Sequence, residues 1–125
     1  MTGYANNYNG SIAFRALLVL LMRVSGISAQ AKPVYTKLSE AVAQDRPNGD
    51  ILGIKNWSIL TRKEVKIDLS GGSDRAARVA ELDGNKKSAL VWYRRGHEAS
   101  KAYVIMSFDT FLQVLQEEQE REDRS

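Results

Sequence analysis

The stretch PNGDILGIKNWSILTRKEVKIDL, residues 47–69, decides how the rest of the chain is read. Pro47, Asn48 and Gly49 are turn formers, because proline presets φ and the other two tolerate left-handed backbone. Residues 50–54 then read as a short strand, and Lys55-Asn56 as a hairpin-like turn. Residues 57–69 alternate at length: Ile59, Val65, Ile67 and Leu69 share one parity, and Leu60, Arg62, Glu64, Lys66 and Asp68 share the other. Alternate side chains of a strand face opposite sides. The pattern therefore predicts one long strand with an apolar face and a largely charged face, broken by Gly71-Gly72.

Outward from this stretch the elements are simpler. Residues 1–10 are rich in Gly, Asn and Tyr and read as irregular. Ser11 is placed to cap a helix that runs to Val24, with Gly26 at its C-terminal end. Its centre, residues 16–22, is apolar on every side, which predicts a helix buried under other elements. Residues 27–49 allow two readings: a helix over 36–44 with Leu38, Ala41 and Val42 inward, or a strand at Val34-Tyr35 followed by a loop. On the C-terminal side, Ser73 is expected to cap a helix reaching Leu82, ended by Asp83-Gly84-Asn85. Strands are expected over 89–94 and 102–106, with a loop at 96–100. Ser107 then caps a last helix with Asp109 in its first turn, where negative charge suits the helix dipole. Phe111, Leu112, Val114 and Leu115 make its apolar face. Beyond Gln116 the sequence is polar on all sides and is expected to fray. The order of elements predicts an α/β domain over residues 11–116, with a mixed central sheet flanked by helices and a charged tail over 117–125.

Composition narrows the chemistry. A chain of 125 residues, 43% hydrophobic and 26% charged, suits one globular domain. There is no cysteine and one histidine, His97, so disulfides, thiolate catalysis and multi-histidine metal sites are excluded. His97 follows Arg95-Gly96 and reads as an exposed loop residue. Trp92 reads as core, and Trp57 as core or a dimer contact. The formal charge of +3 is unevenly spread: residues 117–125 hold five acids and two arginines, so the remainder carries 16 basic and 10 acidic residues, a net +6. A basic body favours an anionic partner, and nucleic acid is the usual one. Ala29-Gln30-Ala31 has the form of a signal cleavage site, but the segment before the apolar run is long and polar, and Arg23 interrupts the run. A buried first helix is the better reading.

Asp50 and the pair Glu64, Lys66 make the chemically informative pattern. Metal-dependent nucleases bring two carboxylates to a magnesium ion, a hard cation that takes oxygen ligands. The ion activates water and offsets charge on the phosphate, and a nearby lysine stabilises developing negative charge. On one strand Glu64 and Lys66 would face the same way, and a hairpin could bring them beside Asp50. The same residues would equally suit a solvated strand face. Lys55, Arg62, Lys63, Lys86, Lys87, Arg94 and Arg95, together with Lys66, Arg75, Arg78 and Lys101, lie near the expected sheet and its loops, and the first seven are the candidate phosphate contacts.

Residues 10–115 also resemble PD-(D/E)xK nuclease domains of the phage Holliday junction resolvase type. The resemblance rests on Ala13-Phe14, Gly49-Asp50-Ile51 with Gly53, Ile67-Asp68-Leu69 followed by Asp74, residues 89–96, and Tyr103-Val104-Ile105-Met106-Ser107 leading into residues 108–115. It implies a restriction-endonuclease-like fold, a phage protein in the bacterial cytoplasm, branched or junction DNA as partner, magnesium as cofactor and a homodimer. Anchored on residues 67–69, however, the family's Glu-x-Lys falls on Leu60-Thr61-Arg62, and its acidic helix residue falls on Arg15. Two readings follow. Either the metal site is displaced to Asp50 and Glu64, with Lys66 at the water, or the domain has lost catalysis and binds DNA. A regulatory or protein-interaction module without enzymatic activity is the alternative.

Overall fold

The computed structural model describes residues 2–32 and 49–124. Helix α1 (Thr2–Val24) leads to strands β1 (Gln30–Ala31), β2 (Ile51–Leu52) and β3 (Trp57–Arg62). Helix α2 (Leu69–Asp83), strand β4 (Lys87–Trp92), a 3₁₀ turn (Ala99–Lys101), strand β5 (Tyr103–Ile105) and helix α3 (Phe108–Arg124) follow. The strands form one mixed sheet in the order β1-β2-β3-β4-β5. Only β3 and β4 are parallel, pairing Trp57 with Lys87 through Arg62 with Trp92. A parallel pair needs a crossover connection, and α2 supplies it. The expected α/β class with a mixed sheet is therefore present.

Parity sorts the core into two layers. Ile51, Ile59 and Val91 pack with Phe14, Leu18, Val19 and Ala29 under α1. Leu60 and Leu90 point to the other face and pack with Ala76 and Val79 of α2. Burying each large aliphatic or aromatic side chain contributes about 1.5–3 kcal/mol, so these layers hold both helices to the sheet. Helix α1 is not buried all round. Its outer stripe of Leu17, Leu20, Leu21 and Val24 is exposed, because one sheet face can cover only one side of a helix.

Several expected boundaries move. Residues 2–10 are helical, so α1 begins well before Ser11. At its other end Gly26 takes φ +86°, and the N–H of Ile27 donates to the carbonyl of Met22, a left-handed helix stop. β1 was not expected. The alternatives at Val34-Tyr35 and 36–44 lie outside the described residues. The largest correction concerns β3, which ends at Arg62 rather than continuing to Leu69. Asp68 caps α2 by accepting from the Gly71 N–H at 3.1 Å, so the helix starts before Ser73. Gly71 and Gly72 lie in its first turn and do not mark a break. A Cβ at Gly72 would stand 2.7 Å from Leu90 Cδ2, so a side chain here would require the buried Leu90 to shift. Helix α3 begins as expected, with Thr110 N–H donating to Ser107 Oγ at 3.1 Å. It does not fray at Gln116. It continues to Arg124, supported by Lys87 with Glu117, Arg121 with Glu118 and Gln119 with Asp123. Among the described residues no helix is long and apolar enough to cross a membrane.

Candidate functional site

Asp50 sits immediately before β2, where its backbone already belongs to the sheet: its N–H donates to Ile59 O and its carbonyl accepts from Lys32 N–H. The backbone thus holds the side chain in place, about 15% exposed, over the end of β3. Asp50 Oδ2 accepts from the backbone N–H of Thr61 at 2.7 Å and from Thr61 Oγ1 at 3.3 Å. Arg15 reaches Oδ1 from α1 at 3.3 Å, and Arg62 reaches Oδ2 from β3 at 3.5 Å. Arg62 also donates to the carbonyl of Thr61 at 2.7 Å, which fixes its guanidinium. One carboxylate is thus held by two guanidinium groups, one amide and one hydroxyl. Such charge-assisted bonds are stronger than neutral ones, and partial burial limits screening by salt.

Asp50 and Arg62 of this cluster lie on the wall of a cleft of about 730 Å³ that is also lined by Lys32, Leu60 and Gly71, and by Asp74, Arg75, Arg78, Val79 and Leu82 of α2. Arg75 and Arg78 are three apart, so they share a helix face. Among the described residues neither they nor Lys32 pairs with a carboxylate. Four cations therefore line the cleft against two carboxylates, one of which is already compensated. The lining therefore carries a net positive charge, and low-dielectric walls focus such a field.

The structure brings together Asp50, Leu60, Arg62 and Arg15, the positions on which the resemblance places the family's catalytic set. It does not bring Glu64 and Lys66 to them. Both are exposed on the turn after β3, and neither lines the cleft. The Glu64 carboxylate accepts from the Lys63 N–H at 3.1 Å, while its carbonyl accepts from Trp92 Nε1 at 2.7 Å. The pairing of Glu64 and Lys66 on one strand face fails because the strand has already ended. Magnesium implies converging oxygen ligands. Around Asp50 the neighbours are guanidinium and amide donors, and among the described residues no three acidic or imidazole groups come together. The residues around Asp50 do not fit the ion.

The basic residues expected to touch phosphate divide between the two ends of the parallel pair. Arg62, Lys63, Arg94 and Arg95 lie at the C-terminal ends of β3 and β4, while Lys55, Lys86 and Lys87 lie at the N-terminal ends, roughly 17 Å away at about 3.3 Å per residue. Lys87 is 6% exposed, ion-paired with Glu117 and 5.6 Å from the Trp57 ring, so its charge is engaged within the protein. Trp92, expected in the core, is only partly buried and sits against Tyr103. His97 is exposed, as expected. Lys32 was not foreseen, and Arg75 and Arg78 read from sequence as basic residues near the sheet, not as a pair facing a cleft. Their spacing on α2 was visible, but the cleft they face joins three separate segments. Comparison with protein-family models, with curated proteins and with solved structures found no match for this chain.

Proposed function

We propose that the cleft beside Asp50 binds the phosphate backbone of nucleic acid, on a domain of the PD-(D/E)xK nuclease type in which a guanidinium–carboxylate cluster replaces the metal site. One observation carries this reading: Asp50 is ion-paired to both Arg15 and Arg62 on the wall of a cleft that also presents Lys32, Arg75 and Arg78. The restriction-endonuclease-like assignment rests on the resemblance and draws support from the meeting of Arg15, Asp50, Leu60 and Arg62 in space. Backbone phosphates need cations with donors to spare, and such contacts carry no sequence information. Binding through them is strongly salt-dependent. Branched DNA, a homodimer and a phage protein of the bacterial cytoplasm belong to the same proposal through the resemblance alone.

A second reading has its own observation. The exposed stripe of Leu17, Leu20, Leu21 and Val24 on α1 has the i, i+3, i+4, i+7 spacing of a helix-packing face. It favours a regulatory module that meets another protein through α1. One experiment separates the readings. A labelled four-way junction and its matching duplex are titrated with the protein in EDTA, then incubated with magnesium or manganese. Metal-independent binding without cutting is expected. Metal-dependent cutting that Glu64→Ala abolishes would establish the displaced site instead, and no binding at all would favour the protein-interaction reading.

A further inference from the structure

We infer that the strand held in this cleft is unpaired, and that Tyr103 provides a stacking surface for one of its bases. The inference rests on the phosphate-binding reading of the cleft. Its first support is the chemistry of the lining. Beside the cations lies Leu82, 70% exposed, while Leu60 and Val79 line the cleft as buried residues. The outside of a duplex offers phosphates and sugars, which gain nothing from an exposed apolar side chain. An unpaired nucleotide offers both an anion and a flat apolar base. The cleft volume of about 730 Å³ lies within the range of about 300–1,000 Å³ for small-molecule pockets, room for roughly one or two nucleotides.

The second support is the row of side chains beyond the cleft. Arg62 is in register with Trp92 on β4, and Trp92 is in register with Tyr103 on β5. Adjacent strands are about 4.8 Å apart, which puts Tyr103 roughly 10 Å from Arg62 across the sheet. The Trp92 and Tyr103 rings are 5.9 Å apart and tilted by 46°. Arg94 lies 5.3 Å from the centre of the Tyr103 ring, which is nearly half exposed. Cations interleaved with aromatic rings are the arrangement that binds single strands: the rings stack on bases of any sequence, and the cations follow the backbone.

The test is fluorescence anisotropy with a labelled oligothymidylate and a duplex of equal length, using the full chain. The single strand is expected to bind more tightly than the duplex. Tyr103→Ala should weaken the single strand by roughly 5- to 10-fold, the lower end of what one stacked base contributes, and leave the duplex unchanged. Tyr103→Phe should restore binding. Arg75→Ala with Arg78→Ala should weaken both ligands. A duplex bound as tightly as the single strand, with no effect of Tyr103→Ala, would overturn the inference while the phosphate-binding cleft stands. Binding of neither ligand would overturn both. Should Tyr103→Ala fail to fold, photo-crosslinking of a bromouracil-substituted strand to the wild-type chain decides. Adducts within residues 92–103 support the inference, and adducts elsewhere only would refute it.

Discussion

Replacing Asp50 by asparagine should strengthen nucleic-acid binding, the opposite of what a metal ligand would do. The carboxylate is the only acid touching Arg15 and Arg62 among the described residues, and in the proposed site it would compete with phosphate for them. At roughly 6 Å and an effective dielectric constant of about 20, its repulsion of a bound phosphate is about 3 kcal/mol. Salt screening at the cleft mouth and the guanidinium groups between the two anions reduce this to about 1–1.4 kcal/mol, a gain of roughly 5- to 10-fold in affinity. The amide keeps an oxygen for the Thr61 N–H, 2.7 Å away, so the end of β3 stays in place. Losing the ionic character of the cluster should cost about 1–3 kcal/mol of stability, read as a fall of several degrees in Tm by calorimetry. Affinity is read by anisotropy at fixed salt in EDTA, well below the variant's Tm. Binding weakened several-fold by Asp50→Asn in a folded variant would refute the view of Asp50 as a competitor within an anion site.

Other substitutions check the architecture that places the cleft. Glu64→Ala and Lys66→Ala remove exposed side chains on the turn after β3, so each should change stability by less than about 0.5 kcal/mol in urea unfolding and leave affinity within about two-fold. Gly72→Ala sets a methyl 2.7 Å from Leu90 Cδ2, and overpacking of this kind should cost about 1–3 kcal/mol, measured by thermal melting. Lys87→Met removes a buried charge bonded to Glu117. It should loosen α3, seen as faster amide exchange over residues 108–124, without changing the salt dependence of nucleic-acid binding.

Much of the fold was legible because local chemistry and packing agree there. Gly26 ends α1, Asn56 takes the positive φ of the turn before β3, and Gly84 ends α2. Ser107 caps α3. The end of β3 was not legible, because alternation continues through Val65, Ile67 and Leu69 after the strand has stopped. Val65 and Leu69 are exposed, and only Ile67 packs on the core. The aspartate cap at Asp68 outweighs the glycine pair at Gly71-Gly72, which reads as a turn only when close packing against Leu90 is unknown. The candidate site was half visible. Asp50, Arg15, Leu60 and Arg62 could be named from the resemblance, but the guanidinium–carboxylate cluster needed β2 and β3 in register and α1 across them. Lys32, Arg75 and Arg78 converge only in three dimensions.

The most direct measurement of the central claim is the salt dependence of binding to a labelled nucleic acid, in EDTA, for the wild type and the Arg75→Ala, Arg78→Ala double variant. Each phosphate contact contributes about 0.7–0.9 to the slope of log K against log salt. The expected result is metal-independent binding with a steep slope, and a double variant whose slope is shallower by about 1.4–1.8. Equal slopes and equal affinities for a folded double variant would contradict the claim that this cleft is where the phosphate backbone binds.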